Sequence, residues 1–145
     1  MTNQLHHAQQ KLKPLEWILG QWQGQGQAHG QMIYGVLHAS LRLENSFVVI
    51  NEAIFNADEQ LIHEDCTWCH WLPSQEQLIA HQFMPVGLTE QRIISVNQQQ
   101  MRWWSGPASP VVTMHLIAAQ LHVKVIGPEQ DCWSEIHYQR IPQPS

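Results

Sequence analysis

The sequence predicts an all-β protein: a closed, ten-stranded antiparallel barrel with a short N-terminal helix capping one end. Ten short segments, each alternating or rich in β-branched residues, follow one another and are separated by turn-forming residues. Only the N-terminal segment has apolar residues at helical spacing. A Gly-x-Trp sequence, Gly20 to Trp22, marks the junction between the two regions, and Arg140 lies on the last strand-like segment.

The N-terminal residues 3–13 are predicted to form a helix, because Leu5, Ala8 and Leu12 recur at helical spacing. Lys11 lies near the C-terminal end of this segment, where a positive charge suits the helix dipole. Pro14 then ends the helix or opens a second turn over residues 14–19, since proline is tolerated only in a first turn.

The rest of the chain is predicted to form strands. Their predicted ranges are residues 21–28, 32–43, 46–56, 61–72, 77–83, 91–96, 101–105, 111–118, 121–126 and 131–141. Turn-forming pairs separate several of them, among them His29-Gly30, Pro73-Ser74 and Gly106-Pro107. Short successive strands with tight connections predict a meander, and closing it into a barrel removes edge strands that would otherwise aggregate.

The composition predicts one soluble domain over residues 1–145 with a sizeable core. The formal net charge is −5 and only 7 residues are Lys or Arg, which argues against nucleic acid as a partner. No apolar run approaches the length of a membrane span, and no export signal is visible at the start. Three cysteines, an odd number, lead us to expect reduced thiols in a cytoplasmic protein.

The entry into the barrel carries a motif over residues 15–26, which reads LEWILGQWQGQG. Together with the helix, the ten strands and the final Arg140, it resembles the calycin superfamily of lipocalins and fatty-acid-binding proteins. The motif is most similar to that of the nitrobindin-type haem-binding β-barrels and their bacterial relatives, which show Leu-x-Trp-Leu-x-Gly-x-Trp-x-Gly-x-Gly at this place. The resemblance implies a barrel with an interior ligand site, although fold alone does not determine function.

Two roles are open for Arg140. In calycins, the strand-one Trp packs across the closed end of the barrel against an Arg of the last strand, so the resemblance implies barrel closure by Trp22 and Arg140. Alternatively, Tyr138 and Arg140 lie two residues apart and share one face of a strand. Fatty-acid-binding proteins hold a ligand carboxylate with such a pair in the reverse order. We favour closure, because a barrel end has to be filled.

The segment Cys66-Thr67-Trp68-Cys69-His70 matches the signature for covalent c-type haem. That attachment takes place in an exported compartment. Moreover, two residues separated by three positions on a strand point to opposite faces, which disfavours both haem attachment and a shared zinc ion. We therefore interpret Cys66 and Cys69 as ordinary strand residues and expect no metal site.

Haem b remains an alternative cofactor, since one neutral imidazole beneath an apolar slot is sufficient to hold it. Nitrobindin-type proteins use a histidine close to the C-terminus, and the resemblance implies that His137 would take that place. His115 and His122 are the further candidates among ten scattered histidines. Under the main interpretation no cofactor is expected.

No catalytic motif is evident. Glu52, Glu64 and Asp65 are candidates for an acid–base pair, but Glu64 and Asp65 face opposite sides of their strand. The sequence contains no nucleophile elbow, phosphate-binding glycine loop or zinc-protease motif. We therefore expect no catalytic residues, with an enzyme as the third interpretation.

Seven tryptophans are many for a chain of this size. Trp103 and Trp104 are consecutive, and Trp68 and Trp71 are three apart, so one ring of each pair points into the barrel and one points out. The residues available to line a cavity are Tyr34, Phe47, Trp68 or Trp71, and Trp103 or Trp104.

These observations predict non-enzymatic binding of a small apolar or amphipathic molecule inside the barrel, through Tyr34, Trp68, Trp103, Tyr138 and Arg140. The alternative is a nitrobindin-like haem protein that handles nitrogen oxides. We also expect a homodimer that covers the outward tryptophans of the strands at residues 61–72 and 101–105, because soluble monomers seldom expose grouped aromatic rings.

Overall fold

The structure is a computed structural model that describes residues 2–85, 87, 89–104 and 108–142. An α-helix, α1 (Thr2–Leu12), continues into a 3₁₀ helix at Lys13–Ile18, and ten strands follow. The strands are β1 (Gly20–Ala28), β2 (Gln31–Arg42), β3 (Phe47–Asn56), β4 (Leu61–Leu72), β5 (Gln77–Phe83), β6 (Thr89–Asn97), β7 (Gln100–Trp104), β8 (Val111–Ile117), β9 (Gln120–Ile126) and β10 (Cys132–Arg140).

The strands form a closed antiparallel barrel in which each strand pairs with its neighbours in the chain. β1 also pairs with β10, and this pairing closes the barrel and places Trp22 opposite Arg140. The predicted fold class is therefore confirmed, with strand limits within two residues of those expected. The predicted turn at Gly106-Pro107 lies outside the described residues, as does Ser105.

The helical segment packs onto one end of the barrel. Leu12, Leu15 and Ile18 recur at the spacing of a 3₁₀ turn, and all three are completely buried. Gly20 follows directly, with a φ of +128°, a conformation that L side chains rarely adopt. A Cβ atom at this position would also collide with the Arg140 guanidinium, so the chain enters β1 through a residue that only glycine suits.

Strand alternation separates an inner face from an outer face. In β2, for example, Ile33, Leu37 and Ala39 are buried inside, whereas Met32 and Val36 are exposed outside. Most of the buried apolar side chains belong to one contiguous hydrophobic core that also includes Leu12, Leu15 and Ile18 of the helical segment. None of the described helices is long and apolar enough to cross a lipid bilayer.

Candidate ligand cavity inside the barrel

The end of the barrel beneath the helices is closed by Trp22 and Arg140. The Trp22 ring is buried and its Nε1–H donates to the Ile18 carbonyl at 2.8 Å. The Arg140 guanidinium lies 4.2 Å above the centre of that ring, within cation–π range. The same guanidinium donates hydrogen bonds to the carbonyls of Leu19 and Trp17. The last strand, the first strand and the 3₁₀ helix are thus joined by one side chain.

The opposite half of the barrel contains a cavity of about 310 Å³. Its lining reaches the ends of the strands away from the helices, where Ala28, Met84 and Pro110 border it. Most of the wall is apolar and comes from inward positions of many strands, among them Ile33, Ile50, Val112, Met114, Val123 and Ile136. This is the usual character of a small-molecule site, at the lower end of the usual size range.

Polar side chains converge on the cavity from four adjacent strands, β3 to β6. Each occupies an inward position; they are Glu52, His63, Asp65, Thr67, Gln82 and Arg92. The pairing of the strands explains their grouping, because Glu52 lies directly opposite Asp65, and Thr67 lies opposite Gln82. Arg92 donates to the Pro110 carbonyl at 3.4 Å, which links β6 to the segment before β8.

An acidic group forms within this polar wall. The Tyr138 hydroxyl donates to Glu52 Oε2 at 2.6 Å, and His63 Nε2 lies 2.6 Å from Asp65 Oδ2. Gly35 makes room for the Tyr138 ring, because any side chain at position 35 would collide with it. Two hydrogen-bonded pairs, Tyr138–Glu52 and His63–Asp65, therefore lie on neighbouring strands inside the barrel, with Glu52 opposite Asp65, and they border the cavity through Glu52, His63 and Asp65.

Burial changes the acidity of these groups. The pKa of Glu52 is raised to about 7, chiefly because burial disfavours its charged form and secondly because Asp65 is close. The hydrogen bond from Tyr138 acts in the opposite direction. The pKa of His63 is raised by its hydrogen bond to Asp65, and burial raises the pKa of Tyr138 so that the phenol keeps its proton. Near neutral pH, Glu52 can therefore both donate and accept a proton.

Two buried polar atoms in the cavity wall have no hydrogen-bond partner among the described residues. They are Gln82 Oε1 and Trp103 Nε1, on side chains that are 7% and 2% exposed. Leaving a buried polar atom unpaired costs about 1–3 kcal/mol, and such groups are rare in folded proteins. A hydrogen-bond donor near Gln82 and an acceptor near Trp103, supplied by water or by a ligand, would remove that cost.

The structure corrects the placement of three residues expected in the cavity. Tyr34 lies on the outer face of β2, where it is 39% exposed, and Trp68 lies on the outer face of β4 against the Phe47 ring. Phe47 is also outside, stacked on His70. Trp103 does line the cavity, whereas Trp71, the inward member of its pair, lies under α1 and contacts Lys11.

Tyr138 and Arg140 do not act on a common ligand group. Tyr138 is completely buried and bonded to Glu52, while Arg140 is engaged with Trp22 and the helical carbonyls. The geometry therefore supports closure rather than a carboxylate clamp. His137 is on the outer face of β10, with 46% of its side chain exposed, and so does not reach the cavity. This position corrects its expected role as a haem ligand.

The two cysteines of the c-type haem signature point to opposite faces of β4, as expected for strand residues three positions apart. Cys69 is completely buried inside, Cys66 is partly exposed on the other face, and both thiols are free. Burial raises the pKa of Cys69 to about 12, so this thiol stays protonated.

Glu52 and Asp65 were among the three acids considered from the sequence for an acid–base pair, and the structure places them opposite each other. His63, Gln82 and Arg92 were not predicted as cavity residues. Glu64, the other candidate acid, is outside and exposed. The signal in the sequence was the alternation of side chains along each strand. His63, Asp65 and Thr67 occupy alternate positions of β4 and so share one face, and Gln82 and Arg92 each share a face with apolar residues of their own strand. That signal becomes usable only once the register of neighbouring strands is known.

The fold and cavity together define a closed ten-stranded barrel with an interior pocket, whose largely apolar lining includes one group of polar side chains. The sequence matches no protein-family model and no curated protein significantly. Function is therefore argued from the site itself.

Proposed function

We propose that the barrel binds a small amphipathic molecule in its interior cavity. The observation that carries this proposal is the pairing of a largely apolar cavity of about 310 Å³ with buried, unpartnered polar atoms of Gln82 and Trp103 in its wall. Apolar walls supply binding free energy, and a few fixed polar atoms supply orientation. The closed barrel with an N-terminal helix is consistent with the calycin-like fold, whose members bind ligands in this way.

The chemistry of the wall defines the ligand class. Trp103 offers an N–H donor, Gln82 an oxygen acceptor, and Glu52 a carboxyl group that carries a proton for part of the time near neutral pH. A compact apolar molecule with a hydroxyl, amide or carbonyl group satisfies these atoms. Arg140 does not belong to this set, because its guanidinium is engaged with Trp22 and the Trp17 carbonyl at the closed end.

The proposal is tested by filling the cavity. Val112 lines it and is buried, whereas the preceding Val111 does not line it. We expect Val112→Phe to abolish uptake of the fluorescent amphipathic probe anilinonaphthalene sulfonate, and Val111→Phe, the same change one position away, to leave uptake intact. Quenching of Trp103 emission by the bound probe is expected in the wild-type protein. Equal uptake by the two variants would show that the probe binds elsewhere and would contradict the proposal.

The residues do not fit the haem alternative in its predicted form. His137 faces outward and contacts Glu135, and the histidines that line the cavity are His29, in the turn after β1, and His63. His63 is already hydrogen-bonded to Asp65 at 2.6 Å. A Soret band in the purified protein that is lost in His137→Ala would restore the alternative.

A second candidate, acid–base catalysis on the bound molecule, is favoured by one observation. Glu52 has a pKa of about 7, borders the cavity, and contacts the Tyr138 hydroxyl. A carboxyl group with a pKa near the working pH is suited to proton transfer. If the retained ligand is identified, incorporation of deuterium from D₂O into its C–H positions, lost in Glu52→Gln, would support this activity. Binding of the molecule without deuterium incorporation would indicate that the protein binds it and does not catalyse proton transfer.

A further inference from the structure

A row of histidines crosses the outer face of the barrel, away from the cavity. His115 on β8 pairs with His122 on β9, which pairs in turn with His137 on β10. The rings of His122 and His137 are stacked, with centres 3.8 Å apart and planes 6° from parallel. Because these are outward positions of adjacent antiparallel strands, the sheet itself holds the two imidazoles side by side.

Glu135 completes the arrangement. It lies two residues before His137 on β10 and so shares the outer face, and its Oε1 is 3.1 Å from His137 Nε2. One ligand atom from each of His122, Glu135 and His137 lies within 4.8 Å of the others. In a tetrahedral site with metal–ligand distances of about 2.0–2.2 Å, ligand atoms lie about 3.4 Å apart. The 3.1 Å distance from Glu135 Oε1 to His137 Nε2 is already close to this value. The side chains are partly exposed and can move to bring the ligand atom of His122 to the same spacing.

We propose that His122, Glu135 and His137 bind a divalent transition-metal ion, of the class of Zn²⁺, Cu²⁺ or Ni²⁺, on the outer face of the barrel. The two imidazole nitrogen ligands favour these ions over Mg²⁺ and Ca²⁺, which prefer ligand sets made of oxygen alone. Three protein ligands leave a fourth position for water or for a small external ligand.

The surroundings of the site are consistent with binding and also define its main competitor. Gln120 Oε1 lies 3.3 Å from His122 Nε2 and restrains that ring. Lys124 Nζ lies 3.4 Å from Glu135 Oε1, so the ammonium competes with a metal for the same oxygen.

The chain contains a matched control, a second stacked histidine pair. His70 and His81 lie on the outer face of β4 and β5, with ring centres 5.1 Å apart and Nε2 atoms 3.0 Å apart. Among the described residues, no carboxylate or third histidine or cysteine joins this pair as a ligand group. Loss of one of these rings should therefore leave the proposed site unchanged.

The test is calorimetric titration of the untagged, full-length protein with Zn²⁺, and separately with Ni²⁺. We expect saturable binding of one ion per chain, weakened at least about tenfold in His137→Ala and in Glu135→Gln, since even loss of an outer-sphere partner costs that much. His81→Ala should keep wild-type affinity. Lys124→Met should bind more tightly, because it removes the competing charge.

Three results would overturn the proposal: no saturable binding by the wild-type protein, unchanged affinity in both His137→Ala and Glu135→Gln, or loss of binding in His81→Ala alone. The substituted side chains are at the surface, and circular dichroism checks that each variant is folded. None of these residues lines the barrel cavity, so the outcome is independent of the proposed interior ligand.

Discussion

At the scale of single residues, Arg140 connects the last strand to the helical cap. Its guanidinium makes a cation–π contact with Trp22 and donates to two carbonyls that the end of a 3₁₀ helix would otherwise leave to water. The positive charge also suits this C-terminal end of the helical segment. These contacts favour a structural role for Arg140 at the closed end.

Replacing Arg140 tests this role. We expect Arg140→Ala to lower the free energy of unfolding by about 1–3 kcal/mol, because it removes two hydrogen bonds and a cation–π contact. Chemical denaturation measures the loss, with the neighbouring, exposed Gln139→Ala as control. Unchanged stability together with weakened binding of carboxylated ligands would instead assign Arg140 to a ligand clamp.

Glu52 makes stability depend on pH. A carboxyl group whose pKa rises on folding, from 4.5 to about 7, binds its proton more tightly in the folded state. Its contribution is fully present below pH 4.5 and is lost as the pH rises through about 7, by at most about 3 kcal/mol. His63, whose pKa is also raised, acts in the same direction.

We therefore expect Glu52→Gln to flatten the decline in stability between pH 4.5 and 7. Urea denaturation at several pH values measures it, with Glu64→Gln on the outer face of the next strand as the control that keeps the wild-type slope. A slope that is the same in Glu52→Gln and wild type would show that Glu52 titrates normally in the folded protein.

At the scale of elements, the turn between β8 and β9 departs from the sequence preferences of tight hairpins. Ala118 and Ala119 form it, with φ values of 50° and 67°, where Asn and Gly are favoured. An L residue with a side chain is disfavoured in this left-handed region by about 1–2 kcal/mol. The closure of the barrel on both sides holds the turn in place.

Ala119→Gly should accordingly raise the free energy of unfolding, by about 1 kcal/mol. Ala53→Gly is the matched control with the opposite expected sign, since Ala53 lies within β3 and glycine weakens a strand. Thermal or chemical denaturation compares the two variants. Destabilisation by both would mean that the turn is not strained in solution.

The limits of the strands were predictable because turn-forming residues, such as His29-Gly30 and Pro73-Ser74, separate one strand from the next. The inner face was not, because β3 and β4 carry apolar or aromatic residues on both faces; Phe47 and Val48 are adjacent, as are Trp68 and Cys69. Without alternation, a shift of one residue exchanges the faces. Trp68 was therefore placed in the cavity, and the register that sets Glu52 opposite Asp65 was not predicted.

At the scale of the whole molecule, apolar side chains are grouped on the outer face across β4 to β7. This outer patch consists of Trp68, Ile93 and Trp104 together with Phe47 and Phe83 at its margins. Ile93 pairs directly with Trp104 and is 42% exposed, and Phe83 is 43% exposed. The Trp68 ring packs edge-on against Phe47 and so is only partly covered by its own chain.

We propose that a second copy of the chain covers this outer patch, since grouped apolar side chains are seldom left exposed by soluble monomers. Sedimentation equilibrium at micromolar concentration should show a dimer, and Ile93→Lys should convert it to a monomer. Thr113→Lys, on the outer face of β8, is the control that keeps the dimer. A monomeric wild-type protein would contradict this assembly.

Native mass spectrometry can detect a small molecule that the barrel holds in its cavity. Protein purified untagged and without added ligand is compared with Val112→Phe, in which the cavity is filled. We predict that the wild-type spectrum contains a species heavier than the chain by one small molecule, absent from the variant. The same extra mass in Val112→Phe would contradict an interior site, as would a wild-type protein that carries no added mass and takes up no apolar probe.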